Sequence, residues 1–263
     1  MLNRFLEAKR EEIERLRRMR ETGSLPDPVS GQRPGFAGSI RGVPGAAVIA
    51  EYKRASPSQG RMGHQLEPQQ AGEAYARAGA AAVSVLTEAR YFQGDLSLLQ
   101  DMGACPAAQL RKDFILDQLQ ILETASTPAS AVLLIAGLFS YPEADLARLL
   151  RRSEELGLET VVEVTSGQEL DAARQAGARI IQVNNRDLAT LEVDSEKSRE
   201  LVRHRDHAET WISASGIQGP EDVAEVRDLG FDACLVGTCL SRSPDPEAFL
   251  AGLVRAGKPR ENK

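Results

Sequence analysis

No apolar stretch in this 263-residue chain reaches the roughly 18 residues that a membrane-spanning helix needs. That argues against a membrane protein built on helices. Charges begin at Arg4 and break up the N-terminus, so no secretory signal is expected there. Cysteine is scarce. Cys105, Cys234 and Cys239 form neither an even set nor a metal-ligand spacing, which speaks against a disulfide scaffold and against a metal site. Their sparse, odd count fits a reducing, cytoplasmic setting. Histidine is equally rare, and two of the three, His204 and His207, sit in the charged stretch RHRDHAE and are read as solvated surface. Basic charge is not in excess either: 32 Lys and Arg face 38 Asp and Glu, for a net charge of −6. No basic arm or patch stands out, so nucleic acid is not an expected partner.

What the chain does have is recurrence. Eight short apolar runs each precede a helix-like segment: AAVIAEYK (46–53), AAVSVLT (81–87), AAQLRKD (107–113), SAVLLIA (130–136), TVVEV (160–164), IIQVNN (180–185), TWISASG (210–216) and ACLVG (233–237). Alternating strand and helix patterns imply a parallel sheet, and eight units are enough to close it. The expected fold is α/β, a (β/α)8 TIM barrel with an extra N-terminal helix, and the length suits it. Such barrels carry their chemistry at the C-terminal rim of the strands. Nearly every run ends in a polar or ionisable residue, so these should converge on one mouth.

Residues 1–45 read as an N-terminal helix and a connector packed on the barrel, with 46–263 forming the barrel of a single domain. Leu2, Phe5, Leu6, Ile13, Leu16 and Met19 recur at roughly helical spacing over 2–20. Residues 22–45, rich in Gly and Pro, read as irregular. Between the strands, helices are expected near 68–79, 95–102, 117–125, 142–156, 167–176, 195–204, 220–229 and 245–256. Pro142 and Pro220 suit first helical turns, and Asp95, Ser166 and Asp194 are candidate N-caps. Gly79, Gly157, Gly177 and Gly230 stand where helices should end.

Strand alternation puts Glu51 and Lys53 on one side of the first strand. A carboxylate and an ammonium in a dry mouth shift one another's pKa, which serves acid–base work; the same pair also serves as a plain salt bridge. Lys112 and Asp113 are adjacent and must face opposite sides. An inward Lys112 suits a general acid, a Schiff-base nucleophile or an anion anchor. Glu163 shares the inward face of its strand with Val161. Asn184 ends the sixth strand, and Arg186 beyond it suits bidentate capture of a carboxylate or pairing with Asp187 or Asp113. Barrels commonly bind phosphate on the loops after strands seven and eight. Here those loops offer Ser215–Gly216 and Gly237–Thr238, small residues that let backbone N–H groups approach an anion.

Taken together, AEYKRASPSQG, LRKDFILD, VVEVTSGQEL and IIQVNNRDLATLEVD resemble the first-, third-, fifth- and sixth-strand signatures of the indole-3-glycerol phosphate synthase family of tryptophan biosynthesis. VSVLTEARYFQGDL, AVLLIAG and SASGI…LVGTCL follow in the family's order, so the resemblance spans about residues 33–256. It implies a decarboxylating lyase: 1-(2-carboxyphenylamino)-1-deoxyribulose 5-phosphate closes its pyrrole ring, loses CO₂ and water, and needs no cofactor or metal. It further implies Lys112 as general acid, with Glu163, Glu51 and Lys53 serving the later loss of water. Lys53, Ser56, Asn184 and Arg186 match positions that hold polar and anionic substrate groups. Phe114, Leu86, Phe92, Leu133 and Leu188 match apolar walls around the aromatic ring. Ser215, Gly216, Gly237 and Thr238 match the phosphate cradle. The implied partner is a small phosphorylated substrate, with contact to other tryptophan-pathway enzymes possible and no membrane or nucleic acid.

One departure stands out. The family usually has Glu just before the Ser–Gly of the seventh strand, and this chain has Ala214. That leaves two further readings: a paralogue acting on a related arylamino sugar phosphate, or a non-catalytic barrel that binds phosphosugar. Trp211, Gln118 and the 239–241 segment are also untypical.

Overall fold

The computed structural model describes residues 2–57, 60–62, 66–103, 105–140, 146–187 and 190–260. Eight strands pair in parallel into a closed barrel: β1 (Ala47–Tyr52), β4 (Ala82–Leu86), β5 (Ala108–Lys112), β6 (Ala131–Ile135), β7 (Glu159–Val164), β8 (Ile180–Asn184), β9 (Thr210–Ala214) and β10 (Ala233–Val236). A small antiparallel hairpin, β2 (Ala55–Ser56) and β3 (Gly60–Arg61), follows β1 over the mouth. Closure runs from β4 to β1 to β10, with Glu51 opposite Ser84 and Ala47 opposite Ala233. The helices are α1 (Leu2–Glu21), α2 (Phe36–Arg41), α3 (Pro68–Arg77), α4 (Ala89–Phe92), α5 (Ser97–Asp101), α6 (Gln118–Ala125), α7 (Leu146–Glu155), α8 (Gly167–Gln175), α9 (Glu196–Leu201), α10 (Pro220–Asp228), α11 (Thr238–Arg242) and α12 (Pro246–Gly257). No helix among the described residues is long and apolar enough to cross a membrane.

Strand alternation splits the apolar side chains into two cores. Val48, Val83, Val132, Val162 and Ile181 face outward and pack under the helices. Ala47, Ile49, Leu110, Leu133, Val161, Ile212 and Leu235 fill much of the lumen. Trp211 belongs to the outer layer: it is fully buried, its indole N–H donates to Glu209 at 2.8 Å, and Arg174 lies over its ring. Its unusual size is absorbed between strand and helix and never reaches the mouth.

The 22–45 segment departs from its irregular reading. Residues 36–41 form α2, and Phe36 and Ile40, one turn apart, enter the lumen core fully buried. Six residues are too few to hold a helix on propensity alone. Here the Glu159 carboxylate, at the opposite end of β7 from the mouth, accepts from the N–H groups of Phe36 and Ala37. Arg41 ties the other end of α2 to Thr210 and to the Ala208 carbonyl. The helix therefore plugs the floor of the barrel.

Ser166 caps α8, and Pro220 opens α10. Asp95 and Asp194 each accept from the N–H two residues on, at 2.8 and 3.0 Å, but the N-cap positions are Leu96 and Ser195, because α5 begins two residues and α9 one residue later than expected. Gly79, Gly157, Gly177 and Gly230 all take positive φ at helix ends. Pro142 lies outside the described residues, and α7 begins at Leu146. The seventh run stops at Ala214, because Ser215 and Gly216 turn to φ of 68° and 94° and leave the strand.

Candidate active site

The upper end of β1 sets the first group. Ile49 fills the lumen, so Glu51 two residues on points up the same axis and is 5% exposed. Its two oxygens divide between two ammoniums: Lys53 at 2.9 Å and Lys112, from the end of β5, at 3.2 Å. Burial alone would raise the carboxyl pKa, but the two lysines override it and hold Glu51 at about 2. Burial likewise opposes the charge on Lys112, and Glu51 together with Glu163 keeps its pKa above the usual lysine value. Near neutral pH the arrangement is thus a carboxylate between two ammoniums. Its carboxylate neighbours keep Lys112 protonated.

The second group is a chain of hydrogen bonds across β7, β8 and the loop after β9. Glu163 accepts from Gln182 at 2.6 Å and from Asn184 at 2.9 Å. Asn184 in turn accepts from the Ser215 hydroxyl at 2.8 Å and from the Arg186 backbone N–H at 3.0 Å. Gln182 escaped the sequence reading, although it shares the inward face with Asn184 two residues away. The Arg186 guanidinium donates to the Leu191 carbonyl at 2.7 Å. Asp113 turns away from Lys112, as the alternation requires, and meets Lys9 at 2.6 Å.

These groups share one cavity of about 130 Å³, whose walls include Glu51, Lys53, Lys112, Glu163, Asn184 and Arg186. Ser56, Phe114, Ser215, Gly237 and Thr238 also line it. Gly216 faces an adjoining groove, which shares Ser215, Thr238 and Arg186 with the mouth. Leu188 lies outside the described residues. The Ser56 hydroxyl is buried in the wall and has no hydrogen-bond partner among the described residues. Lys53 also donates to Thr238 at 2.9 Å, joining the first strand to the start of α11. Gly237, just before that helix, has no room for a side chain: a Cβ would run into the Glu51 carboxylate and the Lys53 ammonium.

The apolar side of the cavity carries a residue the sequence did not single out. Phe5 of α1 is buried, stacks on Phe114 at 4.4 Å between ring centroids, and meets Tyr91 edge-on at 4.9 Å. Leu86, Phe92 and Leu133 complete this wall. Helical periodicity had placed Phe5 on the apolar face of α1. It held no sign that this face reaches the mouth. Among the described residues, no group of three His, Cys, Asp or Glu side chains is arranged to hold a metal ion.

Ala214 faces the lumen, paired in register with Asn184 on one side and Leu235 on the other. The mouth sets Lys53, Lys112 and Arg186 against Glu51 and Glu163, with Glu51 already paired to both lysines. Glu88 and Asp113 also touch the wall, but Glu88 caps α4 and Asp113 is bound by Lys9 and Arg111. An anion-seeking end, an acid–base end and a flat apolar wall meet in one cavity.

Residues 2–253 match the family model described as indole-3-glycerol phosphate synthase. The chain is 40% identical to the indole-3-glycerol phosphate synthase of Roseiflexus castenholzii, over 97% of each chain. It is 39% identical to the Chlorobium phaeovibrioides protein of the same name, over 93% of this chain and 95% of that one. Among solved structures, it superposes on 3-hexulose-6-phosphate synthase from Salmonella typhimurium with a TM-score of 0.61 at 13% identity, covering 80% of this chain and 97% of that one. Thiamine phosphate pyrophosphorylase from Pyrococcus furiosus gives 0.60 at 15% identity, covering 84% and 97%. These two likenesses establish the shared barrel alone.

Proposed function

This chain belongs to the indole-3-glycerol phosphate synthase family, a family of decarboxylating lyases of tryptophan biosynthesis, and we propose how its mouth carries out that reaction. The ring carbon bearing the substrate's carboxylate attacks the ketone of the deoxyribulose arm. The ketone oxygen gains negative charge as the bond forms, and Lys112, an ammonium held by Glu51, gives it a proton. CO₂ then leaves and restores aromaticity to the six-membered ring. Loss of the new hydroxyl as water, with removal of a proton from the five-membered ring, completes the indole. Glu163 serves as the base of that step, steered by Gln182 and Asn184.

Binding follows the same division. The phosphate rests on the backbone of Ser215, Gly216, Gly237 and Thr238, with Lys53 beside it through its bond to Thr238. Ser56 and Arg186 take the remaining polar and carboxylate groups. The aromatic ring lies along Phe114, backed by Phe5. We place the enzyme in the cytoplasm, acting on a small phosphorylated substrate. The observation that carries this reading is the single Glu51 carboxylate bridging Lys53 and Lys112, which ties the phosphate side to the proton donor.

Ala214 changes the balance of charge. A glutamate there would add one more carboxylate beside Glu51 and Glu163. Its absence leaves the mouth less negative toward a substrate carrying both a phosphate and a carboxylate. Ala214→Glu is accordingly expected to raise KM several-fold and to flatten the dependence of kcat/KM on ionic strength, with kcat changed little. Initial rates of indole fluorescence at several salt concentrations, native chain beside variant, measure this. A silent native enzyme that the glutamate switches on would contradict the reading and favour a barrel turned to another substrate.

A further inference from the structure

The rim behind Lys112 holds a cluster of buried charge that the reaction itself does not use. Lys9 of α1 is 2% exposed, Arg111 2% and Asp113 4%. The Asp113 carboxylate takes four donors: Lys9 at 2.6 Å and the Phe114 N–H at 2.8 Å on one oxygen, Thr87 at 2.7 Å and Arg111 at 3.2 Å on the other. Arg111 is shared with Glu12 and Glu123, so its charge is already divided. Lys9 in turn also meets Glu12 at 2.6 Å. The residue before Asp113 is Lys112, and the residue after it is Phe114.

A buried ion pair is a poor stabiliser for the desolvation it requires, and well-packed apolar residues do as well or better. What such a pair does supply is fixed geometry. On α1, Lys9 stands one helical turn from Phe5, the residue stacked on Phe114. One helix thus grips the 112–114 segment twice, through its carboxylate and through its aromatic ring. We propose that Lys9 is a positioning residue for this reaction: by fixing the Asp113 carboxylate it aims Lys112 at the substrate from one side and holds Phe114 against the aromatic ring from the other. The proposal rests on Lys112 being the proton donor, as argued above.

Lys9→Met keeps the length and apolar stem of the side chain and removes the charge. It is expected to lower kcat about 10²-fold, the scale of loss for a reacting group displaced by about an ångström, with KM changed less than threefold. Phe5→Leu, which loosens only the aromatic wall, is expected to raise KM and spare kcat. Lys9→Arg, which restores a cation at the same place, should recover at least tenfold of the lost kcat. All rates are taken well below each variant's melting temperature, so that lost stability alone leaves kcat untouched. A native kcat in folded Lys9→Met, or no recovery in Lys9→Arg, overturns the proposal. If Lys9→Met does not fold, Lys9→Gln, which keeps a donor to Asp113 without the charge, carries the comparison: a smaller loss of kcat is expected, and a native kcat overturns the proposal. Lys112→Met run alongside separates the two layers: activity there refutes the proton-donor reading, whereas an inactive Lys112→Met beside a fully active Lys9→Met refutes only the role of Lys9.

Discussion

Lys112→Met loses about 10²–10⁴-fold in kcat, the contribution of a positioned proton donor. Ring closure puts charge on the ketone oxygen, and Lys112 is the ammonium whose partner, Glu51, is fixed on both sides. Methionine fills the same space, so the loss falls on chemistry and not on packing. It also frees one oxygen of Glu51, which turns wholly to Lys53 and the phosphate side. KM should therefore change less than kcat. Stopped assays that follow indole fluorescence over hours resolve a residual rate of this size. A variant within tenfold of native would remove Lys112 from the reaction.

Glu163→Gln is expected to cost kcat about as much, at a different step. A glutamine keeps the hydrogen bonds to Gln182 and Asn184 close to their present lengths of 2.6 and 2.9 Å after an amide turn, but takes no proton. Closure and loss of CO₂ precede the step that needs this base. In a single turnover with substrate labelled in its carboxyl group, labelled CO₂ should leave faster than indole fluorescence rises. In native enzyme the two should run together. Equal slowing of both signals would move Glu163 to an earlier step.

Much of this was legible in the chain because a barrel writes its active site at fixed ordinals. Strand period and inward face pointed Glu51 and Glu163 to one mouth and left Lys112 or Asp113 to join them; the structure brings in Lys112, with Asn184 beside it. Ser215 and Gly216 were legible as a turn, and their positive φ follows from where the strand stops. What stayed hidden depends on contacts between distant segments. Phe36 and Ile40 form a helix only because Glu159 caps it from another strand. Phe5 and Lys9 have ordinary helical spacing, and nothing local says that their helix lies over β5 and not elsewhere on the barrel. Gln182 was within reach of alternation alone. A long polar side chain in the middle of an apolar strand reads as an exception until its partner, Glu163, is seen beside it.

The most direct test of the whole arrangement is a crystal structure of Lys112→Met with the carboxyphenylamino deoxyribulose phosphate bound and unreacted. The account predicts the phosphate on the backbone N–H groups of 215–216 and 237–238, the aromatic ring along Phe114, and the ketone oxygen at the end of the residue 112 side chain. A phosphate seated elsewhere, or a ketone facing away from residue 112, would contradict it.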